Sequence, residues 1–151
     1  MRVAVAADHA GYALKEHLAR HIAASGHAVT DLGTHGENPV DYPDFAAAVA
    51  RAVAEGRVDR GVVVCGSGAG ASIAANKVKG VRAVLAHDSY TAHQSVEHDR
   101  ANVITVGSRV IGMKLAEEVI DAFLGAEFTG EDRHVRRLGK IADLEERFDE
   151  A

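Results

Sequence analysis

Residues 62–88 read VVVCGSGAGASIAANKVKGVRAVLAHD and largely determine the fold class. The run 62–65 is apolar on both faces, which suits a strand of a parallel sheet covered by helices on both sides. A glycine-rich turn follows, then a segment of helical period at 67–77, and then a second apolar run at 82–86. This stretch therefore predicts a strand–helix–strand unit.

The same alternation extends along the chain in both directions. Residues 11–25, for example, place Leu14, Leu18 and Ile22 at four-residue spacing, with Lys15 on the opposite, polar face of the helix. The predicted strands are 3–7, 28–32, 62–65, 82–86 and 103–106, and the predicted helices are 11–25, 42–55, 67–77, 89–97 and 112–124. We expect an α/β fold, a three-layer αβα sandwich around a five-stranded parallel sheet.

The chain continues beyond the fifth unit. With 151 residues it has the length of one domain with one core, so we expect a single domain over 1–151. After Gly125 a polar segment leads to an extra C-terminal helix at 133–150, whose apolar residues recur at helical spacing with no strand to follow. This stripe needs a partner surface, on its own domain or on another subunit. We expect the extension 126–151 to pack on a partner subunit.

Composition excludes several classes of protein. Hydrophobic residues make up 47% and charged residues 26%, as in folded globular proteins. The net charge of -5 argues against charge-driven binding to nucleic acid. The single cysteine, Cys65, cannot form an intramolecular disulfide, which fits a reducing cytoplasm. The N-terminal apolar run is too short for a signal peptide or a membrane span, so we expect a cytoplasmic protein with no membrane partner.

The segment CGSGAGAS at 65–72 is the strongest candidate for a ligand site. It joins the carboxyl end of a strand to a helix, which is where open α/β sheets bind ligands, and its glycines let backbone amides approach an anion. The loop lacks the lysine of a P-loop and the closing arginine of a cysteine phosphatase. A tight turn around a buried thiol explains the glycines as well. A nucleotide- or flavin-binding domain is a further alternative, which predicts a co-purified chromophore.

Cys65 has the chemistry of a general base. A free thiol has a pKa of ~8.5, and the dipole of a following helix contributes up to ~2 kcal/mol toward the thiolate. Such a thiolate removes a proton from carbon next to a carbonyl, and nearby amides stabilise the oxyanion that forms.

Five segments carry a family resemblance over nearly the whole chain. They are ADHAGYALK at 7–15, DYPDFA at 41–46, CGSGAGASIAANKVKGVRAVLAHD at 65–88, EHDRANVITVGSR at 97–109 and RHVRR at 133–137. Together they resemble the type B ribose-5-phosphate isomerase family, which also contains galactose-6-phosphate isomerase. The resemblance implies a Rossmann-like fold and an aldose-ketose isomerase of phosphorylated sugars that needs no metal and no cofactor. It also implies a homodimer or a dimer of dimers with active sites at the subunit interface.

The resemblance assigns roles to individual residues. Cys65 matches the base that moves a proton between C1 and C2 through an enediolate, and Ser67 a hydroxyl that assists proton movement between O1 and O2. His98 matches the imidazole that opens the furanose ring, and Asp8 a residue that binds the sugar hydroxyls or the carbonyl end. Some relatives use a glutamate as base at the position of Ala71. The matched substrate-binding residues are Gly66, Gly68, Ala69 and Gly70 through their amides, Tyr42 lining the pocket, and His9, Arg109, Arg133 and Arg137 on the phosphate.

Structural roles compete with these assignments. Asp8 and His9 precede a helix, where capping is a common role. Arg133 and Arg137 are otherwise a solvated helix face, although two guanidinium groups one turn apart suit a phosphate. The chain also departs from the resemblance at Asp99, where the family has asparagine. Asp99 either points to solvent or contacts the substrate and shifts its preference, because a carboxylate only accepts hydrogen bonds and adds negative charge.

These observations predict an isomerase that interconverts ribose 5-phosphate and ribulose 5-phosphate. The alternatives are an isomerase of another aldose phosphate, such as allose, galactose or erythrose phosphate, and a non-catalytic phosphosugar-binding subunit. Cys65 argues against the non-catalytic alternative, because the thiol is the only base candidate in the loop.

Overall fold

Strands and helices alternate in the computed structural model, which describes residues 1–149. The order is β1 (Arg2–Ala7), α1 (Tyr12–Ala24), β2 (Ala28–Asp31), α2 (Tyr42–Ala54), β3 (Arg60–Cys65), α3 (Ala69–Ala75), β4 (Ala83–Leu85), α4 (Ser89–Asp99), β5 (Val103–Gly107), α5 (Met113–Gly125) and α6 (Asp132–Asp149). The predicted succession of elements is confirmed. The predicted end of the last helix, Glu150, lies outside the described residues.

All five strands are parallel and follow the order β2-β1-β3-β5-β4. Helices α1, α4 and α5 cover one face of the sheet, and α2 and α3 cover the other. The expected three-layer αβα sandwich is therefore confirmed. Because the strands are parallel, their last residues share one side of the sheet, here called the carboxyl edge. Their first residues share the opposite side, the amino edge.

Strand β1 shows why the central strands are apolar on both faces. Val3 and Val5 pack in the cluster under α1 and α5, whereas Ala4 and Ala6 pack in the cluster under α2, and none of the four is more than 1% exposed. The outer strand β2 differs, because only one neighbour pairs with it and most of its side chains are exposed. Burial on both faces is therefore a property of the inner strands.

Lys15 is not on a solvated face, contrary to expectation. Its side chain is fully buried, and Nζ lies 2.9 Å from Oδ2 of Asp31, 2.8 Å from Oε1 of Glu16 and 2.8 Å from the carbonyl oxygen of Thr34. Burial by itself lowers the pKa of a lysine, but the hydrogen bonds to Asp31 and Glu16 outweigh it and raise the pKa of Lys15. The charge is buried because carboxylates from α1 and β2 match it.

Helix α6 lies across the amino edge. Near its start, the amide of Thr129 donates to the carbonyl of Glu97 at 3.1 Å, and farther along, the amide of Gly80 donates to Glu145 at 3.2 Å. The helix thus runs from the end of α4 to the turn before β4. Most of its apolar side chains remain exposed, including Val135, Ile141, Leu144 and Phe148. Packing of this extension on a partner subunit stays a prediction. Over residues 1–149, no helix combines the length and apolar character that crossing a bilayer requires.

Candidate active site

The Cys65 thiol lies at the carboxyl edge, at the last residue of β3. It is buried, with 4% of the residue exposed, and Sγ accepts a hydrogen bond from the amide of Gly68 at 3.1 Å. The amide reaches the sulfur because Gly68 takes a left-handed conformation, with φ of +82°. A side chain at Gly68 would also meet the backbone of Val106 at 3.0 Å. An N–H donor aimed at sulfur stabilises negative charge there.

Strand β5 fixes the glycine-rich loop from behind. The Thr105 hydroxyl donates to the carbonyl of Gly68 at 2.8 Å, and the amide of Ser108 donates to the carbonyl of Cys65 at 2.9 Å. A Cβ atom at Gly107 would lie 2.6 to 2.7 Å from backbone atoms of Ser67, so the two segments touch through their main chains. The loop amides are therefore held in place before any ligand binds, as an anion site requires.

A cavity of about 320 Å³ opens at this loop. It brings together residues that are far apart in the sequence, because β1, β3 and β5 are adjacent and end at the same edge. Its lining residues are Asp8, Tyr42, Cys65, Gly66, Ser67, Gly70, Arg109 and Val110. All of these except Val110 were predicted site residues.

Asp8 has a structural role and also lines the cavity. Its Oδ1 accepts a hydrogen bond from the amide of Gly11 at 3.0 Å, which fixes the turn before α1. Among residues 1–149, Oδ2 has no recorded hydrogen bond. Nδ1 of His9 accepts from the amide of Val40 at 3.2 Å, which joins the start of α1 to the segment before α2. The N-cap of α1 is Gly11 and no side chain caps the helix, so the capping role expected for Asp8 and His9 is wrong. Asp8 instead fixes the preceding turn and lines the cavity.

Ser67, Tyr42 and Arg109 lie at the glycine-rich loop and line the same cavity as Cys65. Ser67 Oγ accepts from the amide of Ala69 at 3.2 Å. The Tyr42 ring lies over Gly70 so closely that a Cβ atom there would be 2.6 Å from it. The Arg109 guanidinium lies over Gly66, 3.5 Å from an equivalent Cβ position. The two glycines therefore make room for the two side chains that flank the cavity.

Sequence reasoning missed Lys15 as a support of this site. Its ammonium group holds the carbonyl of Thr34, and the amide of Thr34 donates to the carbonyl of Ala7 at 2.8 Å, next to Asp8. The segment after β2 is thus tied to the end of β1. No sequence signal indicates this role, because Lys15 stands among other polar residues of α1 and its partner Asp31 comes from β2.

A second group of predicted residues lies elsewhere. Helix α4 begins at the carboxyl edge and returns to the amino edge, a distance of roughly 16 Å for its length. His98 and Asp99 at its end therefore lie on the opposite side of the sheet from Cys65, together with the first turns of α6, which carry Arg133 and Arg137. Within one chain, the structure does not bring these four residues to the cavity.

The surroundings of this second group are well defined. His98 Nδ1 lies 3.0 Å from Nε2 of Gln94, and the ring of His98 stacks on the ring of His134. Asp99 is exposed and lines a groove of about 610 Å³ between the end of α4, the turn before β4 and α6. Arg133 is paired with Glu131, whereas Arg137 is exposed and has no recorded ion pair within residues 1–149.

His134 was missed as well, although it lies within the RHVRR motif. Only 3% of it is exposed, in a helix whose other residues are mostly solvated. Burial first, and then the charges of His98 and Arg133, lower the pKa of His134, so the neutral imidazole is favoured. No sequence signal distinguishes this histidine from a solvated one.

Comparison with known proteins gives consistent matches over almost the full chain. The family model described as Ribose/Galactose Isomerase matches residues 3–141. Ribose-5-phosphate isomerase B of Escherichia coli is 44% identical over 146 residues, 97% of each chain. D-erythrulose-4-phosphate isomerase 2 of Mycolicibacterium smegmatis is 38% identical over 148 residues, 96% of this chain and 97% of that one. The structure of Clostridium thermocellum ribose-5-phosphate isomerase B superposes with a TM-score of 0.96 at 48% identity, covering 98% of this chain and 99% of that one.

Proposed function

The chain belongs to the ribose/galactose isomerase family, and on that premise we propose that it interconverts ribose 5-phosphate and ribulose 5-phosphate. One observation carries the proposal: a buried thiol, held by a backbone amide, lies in a cavity that also contains Ser67 and Asp8. Base, hydroxyl and carboxylate are the groups that an aldose-ketose isomerisation needs. Ribose 5-phosphate is the proposed substrate because relatives similar over the whole chain are named for it.

The proposed reaction moves protons and leaves the carbon chain intact. The Cys65 thiolate removes the proton from C2 of the open aldose, and the electron pair forms the C1–C2 double bond of an enediolate, with negative charge on O1. The same thiol returns a proton to C1 while the C2–O2 double bond forms. Ser67 carries a proton between O1 and O2, and the amides of residues 66–70 stabilise the oxyanion. Because these groups supply both the base and the charge stabilisation, the proposal requires no metal and no cofactor.

Two sets of residues are proposed to bind the phosphate. His9 and Arg109 lie at the carboxyl edge with the cavity, whereas Arg133 and Arg137 lie at the amino edge. Guanidinium groups suit a phosphate because each offers two parallel N–H donors. A substrate that contacts both sets must lie between two copies of the chain.

A second copy therefore completes the proposed site. The carboxyl edge of one chain faces the amino edge of its partner, so that the partner supplies His98, Asp99 and both arginines of α6. In a two-fold symmetric dimer this arrangement forms two identical sites. The exposed apolar residues of α6 fit this proposal, since the extension 126–151 then packs on the partner. We propose a homodimer or a dimer of dimers in the cytoplasm, where Cys65 stays reduced.

The decisive experiment measures ketose formation from aldose phosphates of four, five and six carbons. We expect the highest kcat/KM on ribose 5-phosphate. Cys65→Ala should lower kcat on it by about 10²- to 10⁴-fold while its affinity for the phosphosugar stays within roughly tenfold, because a base acts in the transition state more than in binding. A preference for the four- or six-carbon substrate would replace ribose 5-phosphate, and near-normal turnover by Cys65→Ala would remove the thiol as base. Circular dichroism of the variant checks its folding.

A further inference from the structure

His134 is a buried polar side chain to which the proposed reaction gives no role. Its Nε2 atom is buried and has no hydrogen-bond partner within residues 1–149. Its ring lies 4.2 Å from the ring of His98, with 17° between the two planes. What this side chain offers to its surroundings is therefore its flat face rather than a hydrogen bond.

The stacked ring is one of the contacts that fix His98. The amide of Gln94 contacts Nδ1 at 3.0 Å, which leaves Nε2 as the nitrogen available for proton transfer. The nearest carboxylate oxygen, on Glu97, is 3.5 Å from Nε2, too far for a strong hydrogen bond. About a third of the His98 side chain is exposed, so without the face of His134 its ring plane is held by Gln94 on one side only.

Opening of the furanose ring by His98 depends on the orientation of the imidazole plane. The C1–O4 bond breaks with its electron pair on O4, the O1 hydroxyl loses its proton, and the C1–O1 double bond forms. With the Gln94 amide donating to Nδ1, the neutral ring of His98 carries its proton on Nε2. Nε2–H gives this proton to O4, and Nε2 takes up the O1 proton in return, which leaves the imidazole unchanged. That relay requires Nε2 to lie between two oxygen atoms of the sugar, so a small rotation of the ring plane slows it.

We propose that His134 is a positioning residue for ring opening, because it holds the plane of His98 in register with Arg133 and Arg137 on its own helix. The proposal rests on the proposed function, in which His98 opens the ring and the two arginines bind the phosphate. On α6, His134 lies next to Arg133 and one turn before Arg137. Its stacking on His98 therefore ties both arginines and the His98 imidazole into one unit.

The charges around His134 fit this role. Burial and the interactions with His98, Arg133 and Arg137 lower the pKa of His134, and Glu131 opposes them. A neutral His134 adds no positive charge next to the His98 ring.

The test separates ring opening from enolisation. His134→Leu removes the flat ring, and His134→Phe is the matched control that keeps it. Turnover of ribose 5-phosphate requires both ring opening and enolisation. Exchange of the C1 proton of ribulose 5-phosphate with D₂O requires enolisation only, since this ketose has its phosphate on the hydroxyl that would close a ring. Isomerisation of erythrose 4-phosphate, which cannot close a furanose for the same reason, is a second open-chain measurement.

We expect His134→Leu to lower kcat on ribose 5-phosphate by about tenfold or more, with both open-chain rates within about twofold of wild type. His134→Phe should retain the ribose 5-phosphate rate within about threefold. In a His98→Ala background, His134→Leu should cause no further loss, because it acts through His98.

Equal losses on ring-closed and open-chain substrates would overturn the proposal and leave His134 a structural residue. An unchanged rate on ribose 5-phosphate would overturn it as well. Failure of the proposed function has a different result, since the wild-type protein would then neither isomerise ribose 5-phosphate nor exchange the C1 proton of ribulose 5-phosphate.

Discussion

The Cys65 side chain shows how the backbone positions a buried thiol. Its strand places the sulfur at the carboxyl edge, and the left-handed turn at Gly68 aims an amide at it. The strand and the Gly68 amide act on the thiol through the backbone alone. We therefore expect a substitution of Cys65 to leave the conformation of the glycine-rich loop intact. The cavity residues of the same loop reach their positions through Gly66 and Gly70, which leave room for Arg109 and Tyr42.

At Asp99, this chain has a carboxylate oxygen where the asparagine of the family pattern has an amide nitrogen. We expect Asp99→Asn to raise kcat/KM on ribose 5-phosphate relative to a hexose phosphate by roughly fivefold, about 1 kcal/mol, because asparagine donates a hydrogen bond that a carboxylate cannot. The amide also removes a negative charge from the vicinity of a phosphate and an enediolate.

The measurement compares kcat/KM for both sugars in the two proteins. Equal ratios would show that Asp99 does not set specificity, and would leave it as the exposed end of α4. Asp99→Ala is the control for loss of the side chain itself.

At the level of elements, apolar patterning predicted the inner strands well because both of their faces are buried. The run at 62–65 became the end of β3, and 103–106 lies within β5. Periodicity placed the start of the third helix too early, at 67, whereas α3 begins at Ala69 because the left-handed Gly68 cannot be helical. An apolar pattern also cannot reveal that Lys15 of α1 is buried, because its partner Asp31 comes from β2.

Lys15 joins α1 to β2 and to the segment after β2, and its removal should cost stability. We expect Lys15→Met to lower the free energy of unfolding by roughly 3 kcal/mol, because it leaves Asp31 partly buried without its positive partner. Denaturant unfolding at fixed protein concentration measures the change.

The matched control is the double variant Lys15→Met with Asp31→Asn, which removes the charge of Asp31 as well and keeps an acceptor for the amide of Gly33. It should recover part of the loss. A single variant as stable as the wild type would contradict this account of the buried pair.

At the scale of the whole molecule, the sheet separates the candidate site into two halves. Motifs at strand ends were predicted to meet, and they do so around Cys65 because β1, β3 and β5 are neighbours. The predicted helix at 89–97 between two parallel strands already implied that His98 lies at the other edge, because such a helix must return the chain there. The sequence could not show that α6 packs beside the end of α4. The interface expected from the family resemblance stays a prediction, and the separation of the two groups of site residues is the physical argument for it.

The most direct test of this account is a mixed dimer. One chain carries Cys65→Ala, the other carries His98→Ala with Arg137→Ala, and two affinity tags isolate the molecules that contain both. Each variant alone should be nearly inactive on ribose 5-phosphate. If the site joins opposite edges of two copies, one of the two sites in the mixed dimer is intact, and we expect about half of the wild-type activity. A mixed dimer as inactive as its parents, or failure of the two tagged chains to co-purify, would contradict the account.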